Sequence, residues 1–74
     1  MENRIKKILS EVFDRPLSLI NENISTNSIA AWDSMKHIEL IMALEKEFKI
    51  TFDNDEIPSM INLQIIIATI GAYQ

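Results

Sequence analysis

Residues 32–48 read Trp32-Asp33-Ser34-Met35-Lys36-His37-Ile38-Glu39-Leu40-Ile41-Met42-Ala43-Leu44-Glu45-Lys46-Glu47-Phe48. At roughly 100° per residue, His37, Leu40, Ile41, Leu44 and Phe48 gather on one side of a helix. Met35, Glu39, Met42 and Lys46 gather on the opposite side, and Ser34, Ile38 and Glu45 fall on the flank between. The pattern predicts an amphipathic helix that begins at Asp33 or Ser34 and runs to about Phe48. Asp33 is its expected N-cap, because a carboxylate there accepts a backbone N–H and sits beside the positive end of the helix dipole. The His37–Phe48 side is the expected core face. Two methionines are then left facing solvent beside charged residues.

Working outward from this helix, Ile5, Ile8, Leu9, Val12 and Phe13 recur at i, i+3, i+4, i+7 and i+8. That spacing predicts a helix from about Asn3, as N-cap, to Asp14. Pro16 disfavours helix at Arg15 and should stop it. From Leu17 to Trp32 the periodicity is lost, and Asn21, Asn23, Ser25, Thr26, Asn27 and Ser28 mark a long loop. Leu19, Ile24 and Ile29 are its expected anchors onto the core. Between Ile50 and Met60, Phe52 and Ile57 should point inward, and Pro58 limits helix there to one short turn. A last helix is expected from Asn62, as N-cap, to Gly71, with Leu63, Ile66, Ile67 and Ile70 on its buried face. The β-branched run Ile65–Ile67 also suits a strand, but nothing in the sequence offers that strand a partner. The expected fold is all-α: a small four-helix bundle of three main helices and one short one, with a long first loop.

Composition sets the limits on function. Seventy-four residues read as one small domain spanning 1–74. A chain of this size buries only about 60% of its unfolded surface, which leaves little room for an enclosed active site. A hydrophobic content of 47% is what an unstapled domain this small needs for its core. There are no cysteines, so disulfides and thiolate metal sites are excluded, and any thiol must be attached later. The net charge of −4 disfavours nucleic acid and anionic membrane surfaces. It favours partners with basic patches. Met1 to Lys7 lead into no apolar segment of the signal-peptide kind, and Ile65–Ile67 is too short to span a bilayer, so the cytoplasm is the expected compartment.

Four features are candidates for function. Ser34 stands where a loop becomes a helix, a position that favours a bound phosphate on the serine; an ordinary helix-start serine reads the same way. Asp33, Ser34 and His37 are the residue types of a hydrolytic triad. The surrounding Ala31-Trp32-Asp33-Ser34-Met35-Lys36 lacks the glycines of a nucleophile elbow, and His37 lies on the core face, so a packed histidine is the expectation and catalysis is not. Asp53-Asn54-Asp55-Glu56 resembles the start of a calcium loop, but Ile57 and Pro58 occupy positions where a ligand and a glycine belong. A solvated turn, and no metal, is the expectation. Met35 and Met42, with Ile38 on the flank, make a small apolar patch rimmed by charge, which is the composition of an adaptable partner surface.

The stretch Trp32 to Phe48 resembles the prosthetic-group attachment region of acyl carrier proteins, in which Asp-Ser-Leu opens an apolar and acidic helix ending near Glu-Phe. The form here is similar to a subgroup with Trp-Asp-Ser and a histidine three residues after the serine. The resemblance extends over nearly the whole chain, through the long first loop and the Asn62-Leu63-Gln64 start of the last helix. It implies a 4′-phosphopantetheine arm on Ser34, with Asp33 beside it, attached from coenzyme A by a phosphopantetheinyl transferase. It implies a carrier with no catalysis of its own, whose arm holds an acyl or aminoacyl group as a thioester. Docking in this family uses the positions of Asp33, Met35, Lys36, Ile38, Glu39, Met42, Glu45 and Lys46. The implied partners are an acyl- or aminoacyl-loading ligase and acyltransferase or condensing enzymes, and the implied state is a monomer. Two departures stand out. Lys36 and Lys46 occupy positions where the family has acids, or at least no cation, and alanines and a tryptophan precede Asp33 in place of the usual glycine. These point to a dedicated pathway and away from housekeeping fatty-acid synthesis. Two alternatives stay open on the sequence: a D-alanyl or peptidyl carrier loaded by an adenylating enzyme, and a cofactor-free helical adaptor binding through Met35, Ile38 and Met42.

Overall fold

The computed structural model describes residues 1–21 and 23–73. Three α-helices make up the domain: α1 (Glu2–Phe13), α2 (Ser34–Phe48) and α3 (Leu63–Tyr73). Single 3-10 turns at Leu17–Leu19 and Ile57–Ser59 sit in the two connections, and the second of them is the short fourth element of the bundle. The fold is all-α, and no strand is formed among the described residues.

Helix α1 buries Ile5, Ile8, Leu9 and Phe13, the stripe its spacing predicts, with Val12 at the margin. Its cap lies two residues earlier than expected. Met1, and not Asn3, is the N-cap, and it caps without a side-chain hydrogen bond. Its carbonyl accepts from the Ile5 amide at 3.2 Å. Ile5 is completely buried, so the turn ahead of it is already helical, and Asn3 lies inside that turn. The helix ends as Asp14 enters the left-handed region at φ 53° and donates to the Ser10 carbonyl. Arg15 donates to the same carbonyl, and Pro16, which has no N–H, cannot extend the ladder.

The long connection is packed down by Ile20, Ile24 and Ile29, all under 9% exposed. Ile24 and Ile29 are anchors as expected. Leu19 is not: it is 55% exposed, and Ile20 takes its place in the core. The cause is the 3-10 turn after Pro16, closed by the Ile20 amide on the Leu17 carbonyl at 3.0 Å. It rolls Leu17 and Leu19 outward and the next residue inward. Farther on, Thr26 donates to the Ile61 carbonyl and Leu63 donates to the Ile24 carbonyl, at 3.0 and 3.1 Å. These bonds frame an isolated antiparallel bridge between Ser25 and Asn62. The loop is thereby tied to the entrance of α3.

In α2, Leu40, Ile41, Leu44 and Phe48 are buried. They join one core cluster with the α1 stripe and with Leu63, Ile66 and Ile70 of α3. Phe52 and Met60 close the core from the second connection at 4% and 0% exposure. Ile57 is only half-buried. No polar or charged residue is buried among the described residues.

Asn62 caps α3, accepting from the Ile65 amide at 2.8 Å. The helix does not stop at Gly71 as expected; it continues to Tyr73, and Gly71 keeps a negative φ. A glycine inside a helix costs about 1 kcal/mol relative to alanine. Contacts of the last residue offset this. The Tyr73 hydroxyl bonds to the Glu56 carboxylate and accepts from the Asp53 amide, and its ring meets Phe52 edge-on at 5.6 Å. No helix among the described residues is long and apolar enough to cross a membrane.

Candidate functional site

Ser34 is the first residue of α2 and is exposed. Its setting follows from its neighbours. Asp33 is extended, with φ −100° and ψ −174°, so the chain turns sharply into the helix. The Asp33 carboxylate accepts from the Lys36 amide at 2.9 Å, and its carbonyl accepts from His37 at 2.8 Å. The amides of Ser34 and Met35 have no acceptor among the described residues. A phosphate on Ser34 Oγ would meet these two N–H groups at the positive end of a 15-residue helix. The residues present therefore fit a phosphodiester-linked group at this serine.

The triad arrangement does not form. His37 uses both ring nitrogens elsewhere: Nδ1 faces Trp32 Nε1 at 3.0 Å and Nε2 faces the Ile57 carbonyl at 2.6 Å. An indole only donates and a carbonyl only accepts. Nδ1 therefore accepts from the indole and Nε2 donates to the carbonyl, so Nδ1 has no lone pair left for Ser34. The Asp33 carboxylate serves as helix cap and does not orient the histidine. His37 is instead a brace that ties the end of the first loop, α2 and the Ile57 turn together, with the Trp32 ring packed on Phe13 at 4.9 Å between centroids.

Beside Ser34 lies an open groove of about 530 Å³, lined by Trp32, Ser34, Ile38, Ile57, Pro58 and Ile61 among others. Sequence reasoning missed Pro58 and Ile61 as lining residues; Ile57, expected inward, packs half-buried against the core and also lines the groove. No local pattern marks them, because the groove exists only where the second connection packs beside α2. The single signal was an apolar residue, Ile61, following a buried one.

On the outer side of α2, Met35, Ile38 and Met42 are 78%, 50% and 63% exposed and form a continuous apolar stripe next to Ser34. A second shallow hollow of about 420 Å³ lies between Ser34, Met35, Ile38 and Glu39. The charged residues around the stripe are less alike than the sequence suggests. Lys36 bonds to the Val12 carbonyl at the end of α1 and to Glu39, each at 3.2 Å. Glu45 turns back to accept from the Phe52 amide at 2.9 Å. Lys46 is exposed in line with Met42.

An exposed serine at a helix N-terminus with an apolar stripe beside it has the geometry of a presenting platform. No protein-family model matches the chain. It is similar to the acyl carrier protein of Buchnera aphidicola, 34% identical over 77 aligned positions that span 99% of this chain and 94% of that protein. It is also similar to acyl carrier protein 3 of Ralstonia nicotianae, 27% identical over 70 positions spanning 95% of this chain and 80% of that protein. The chain belongs to the acyl carrier protein family, and it is an acyl-carrying protein that works with biosynthetic enzymes and is not itself an enzyme.

Proposed function

We propose that Ser34 carries a 4′-phosphopantetheine arm, transferred from coenzyme A by a phosphopantetheinyl transferase. The observation that carries this reading is the exposure of Ser34 at the first position of α2, with the Ser34 and Met35 amides free. The arm supplies the thiol that holds the acyl group as a thioester, which a chain without cysteine cannot provide. The protein's own residues do the rest. Asp33 fixes the start of the helix so that Ser34 projects. The two free amides stabilise the phosphate charge. Trp32 and His37 hold the wall of the adjoining groove. Met35, Ile38 and Met42 meet the loading, acyl-transfer and condensing enzymes, with Lys36, Glu39, Glu45 and Lys46 at the rim. In this reading residues 1–74 are one carrier domain, acting as a monomer in the cytoplasm.

The pathway is a dedicated one, distinct from housekeeping fatty-acid synthesis. The support is Lys36 and Lys46: Lys46 is a free cation among the described residues that repels the basic surfaces that usually meet acidic carriers, and Lys36 neutralises Glu39, which would otherwise attract them. Intact mass before and after incubation with coenzyme A and a broad-specificity transferase tests the arm. A gain of one phosphopantetheinyl group is expected in the wild type and none in Ser34→Ala. No gain from the folded wild type would refute it. Efficient malonyl loading of the holo protein by a housekeeping malonyl transferase would refute the dedicated pathway.

A further inference from the structure

The acidic residues of α2 are engaged by the protein itself. Glu39 pairs with Lys36 at 3.2 Å. Glu45 accepts from the Phe52 amide at 2.9 Å. Glu47 pairs with Arg4 at 2.8 Å, and that guanidinium also donates to the Glu47 carbonyl and lies 4.4 Å from the Phe48 ring centroid. Asp33 is the helix cap. Lys36 is engaged twice, by Glu39 and by the Val12 carbonyl. Lys46 differs. It is exposed, makes no hydrogen bond or ion pair among the described residues, and falls in line with Met35 and Met42 on the helical wheel. At a rise of about 1.5 Å per residue it stands roughly 18 Å along the axis from Ser34.

We infer that the docking face of α2 is an apolar stripe ending in one uncompensated cation. Its natural partner presents an apolar hollow to Met35, Ile38 and Met42 and a carboxylate to Lys46. This inference rests on the carrier reading above. The net charge of −4 does not contradict it. Screening confines the interaction of exposed charges to about 8 Å at physiological salt, so the local charge at Lys46 decides the contact. The size of the effect is that of one exposed pair, and it acts on partner choice more than on total affinity.

The test uses a phosphopantetheinyl transferase whose carrier-docking face is basic, and a variant of it with one docking lysine or arginine replaced by glutamate. Loading of the full chain is followed by intact mass at low and high salt. With the basic enzyme, Lys46→Glu lowers KM by about two- to fivefold at low salt with kcat unchanged. With the acidic variant, the wild type is preferred by a similar factor. Both differences shrink in high salt. Lys7→Glu, which makes the same change in net charge on the outer surface of α1, leaves both ratios unchanged. Equal effects of Lys46→Glu and Lys7→Glu, or no effect of either while loading proceeds normally, would overturn the inference and leave the carrier reading standing. Absence of any mass gain with either enzyme would overturn both.

Discussion

Replacing His37 by phenylalanine keeps the ring volume and the packing against Trp32, whose centroid lies 6.2 Å away. It removes the bond from Trp32 Nε1 and the bond to the Ile57 carbonyl. Trp32 is 7% exposed, so its N–H loses its partner where little solvent reaches the residue. A buried donor stranded in this way costs about 1–3 kcal/mol. The Ile57 carbonyl lies on a half-buried turn and recovers part of its loss from solvent. The expected total is about 2–3 kcal/mol, a large share of the roughly 3–5 kcal/mol that a core of this size supplies. At about 4–8 °C per kcal/mol for a small domain, Tm falls by roughly 10–20 °C. Urea unfolding followed by far-UV circular dichroism measures the change in every variant, including those that lack Trp32, the sole tryptophan. A cycle with Trp32→Phe isolates the bond, because lost packing on Phe13 cancels; a coupling of about 1 kcal/mol is expected. A loss under about 0.5 kcal/mol in His37→Phe, or strictly additive single changes, would refute the brace. Imidazole nitrogen chemical shifts give an independent check: they should report the Nε2–H tautomer.

Asp33→Ala removes the cap on the Lys36 amide and should cost about 1 kcal/mol, read by denaturant midpoint, while slowing transferase loading of Ser34. Ile66→Ala empties a site with no exposed surface and should cost about 2–5 kcal/mol, enough to populate the unfolded state at room temperature. Tyr73 gives a pH dependence. Its hydroxyl bond to Glu56 raises its pKa above the usual 10.0, so between that value and the folded-state pKa the native protein holds a proton that the unfolded chain has lost. Stability from this group is complete below pH 10.0 and falls as pH rises through the folded-state pKa. Tyr73→Phe should lack this extra alkaline slope in unfolding curves taken from pH 9 to about 12; an unchanged slope would refute the bond.

Much of the fold was legible because its information is local and periodic. The α2 wheel separates His37, Leu40, Ile41, Leu44 and Phe48 from Met35, Glu39, Met42 and Lys46, and the burial follows that division except at His37, which is half-buried. Asp33 and Asn62 were readable as caps because their side chains satisfy amides three residues away, which sequence spacing alone specifies. Errors fell where local turn geometry or distant contacts overrode the simple pattern. Leu19 looked like an anchor, but the 3-10 turn after Pro16 presents Ile20 instead. Gly71 looked like a stop, but Tyr73 is held by Glu56, Asp53 and Phe52 across the connection.

The site divides in the same way. The sequence by itself determined that the chain forms helices, that Ser34 opens one of them, and that an apolar stripe flanks it, because helical periodicity and capping act within a few residues. Only the tertiary structure decided that His37 is fully occupied between Trp32 and Ile57, and that a groove opens between α2 and the Ile57–Ser59 turn. It also decided that Glu45 is turned inward while Lys46 stays uncompensated. These are relations between residues brought together by burial of a common core, and a hydrogen bond or an ion pair depends on the distance between partners in space, which the order of residues along the chain does not fix.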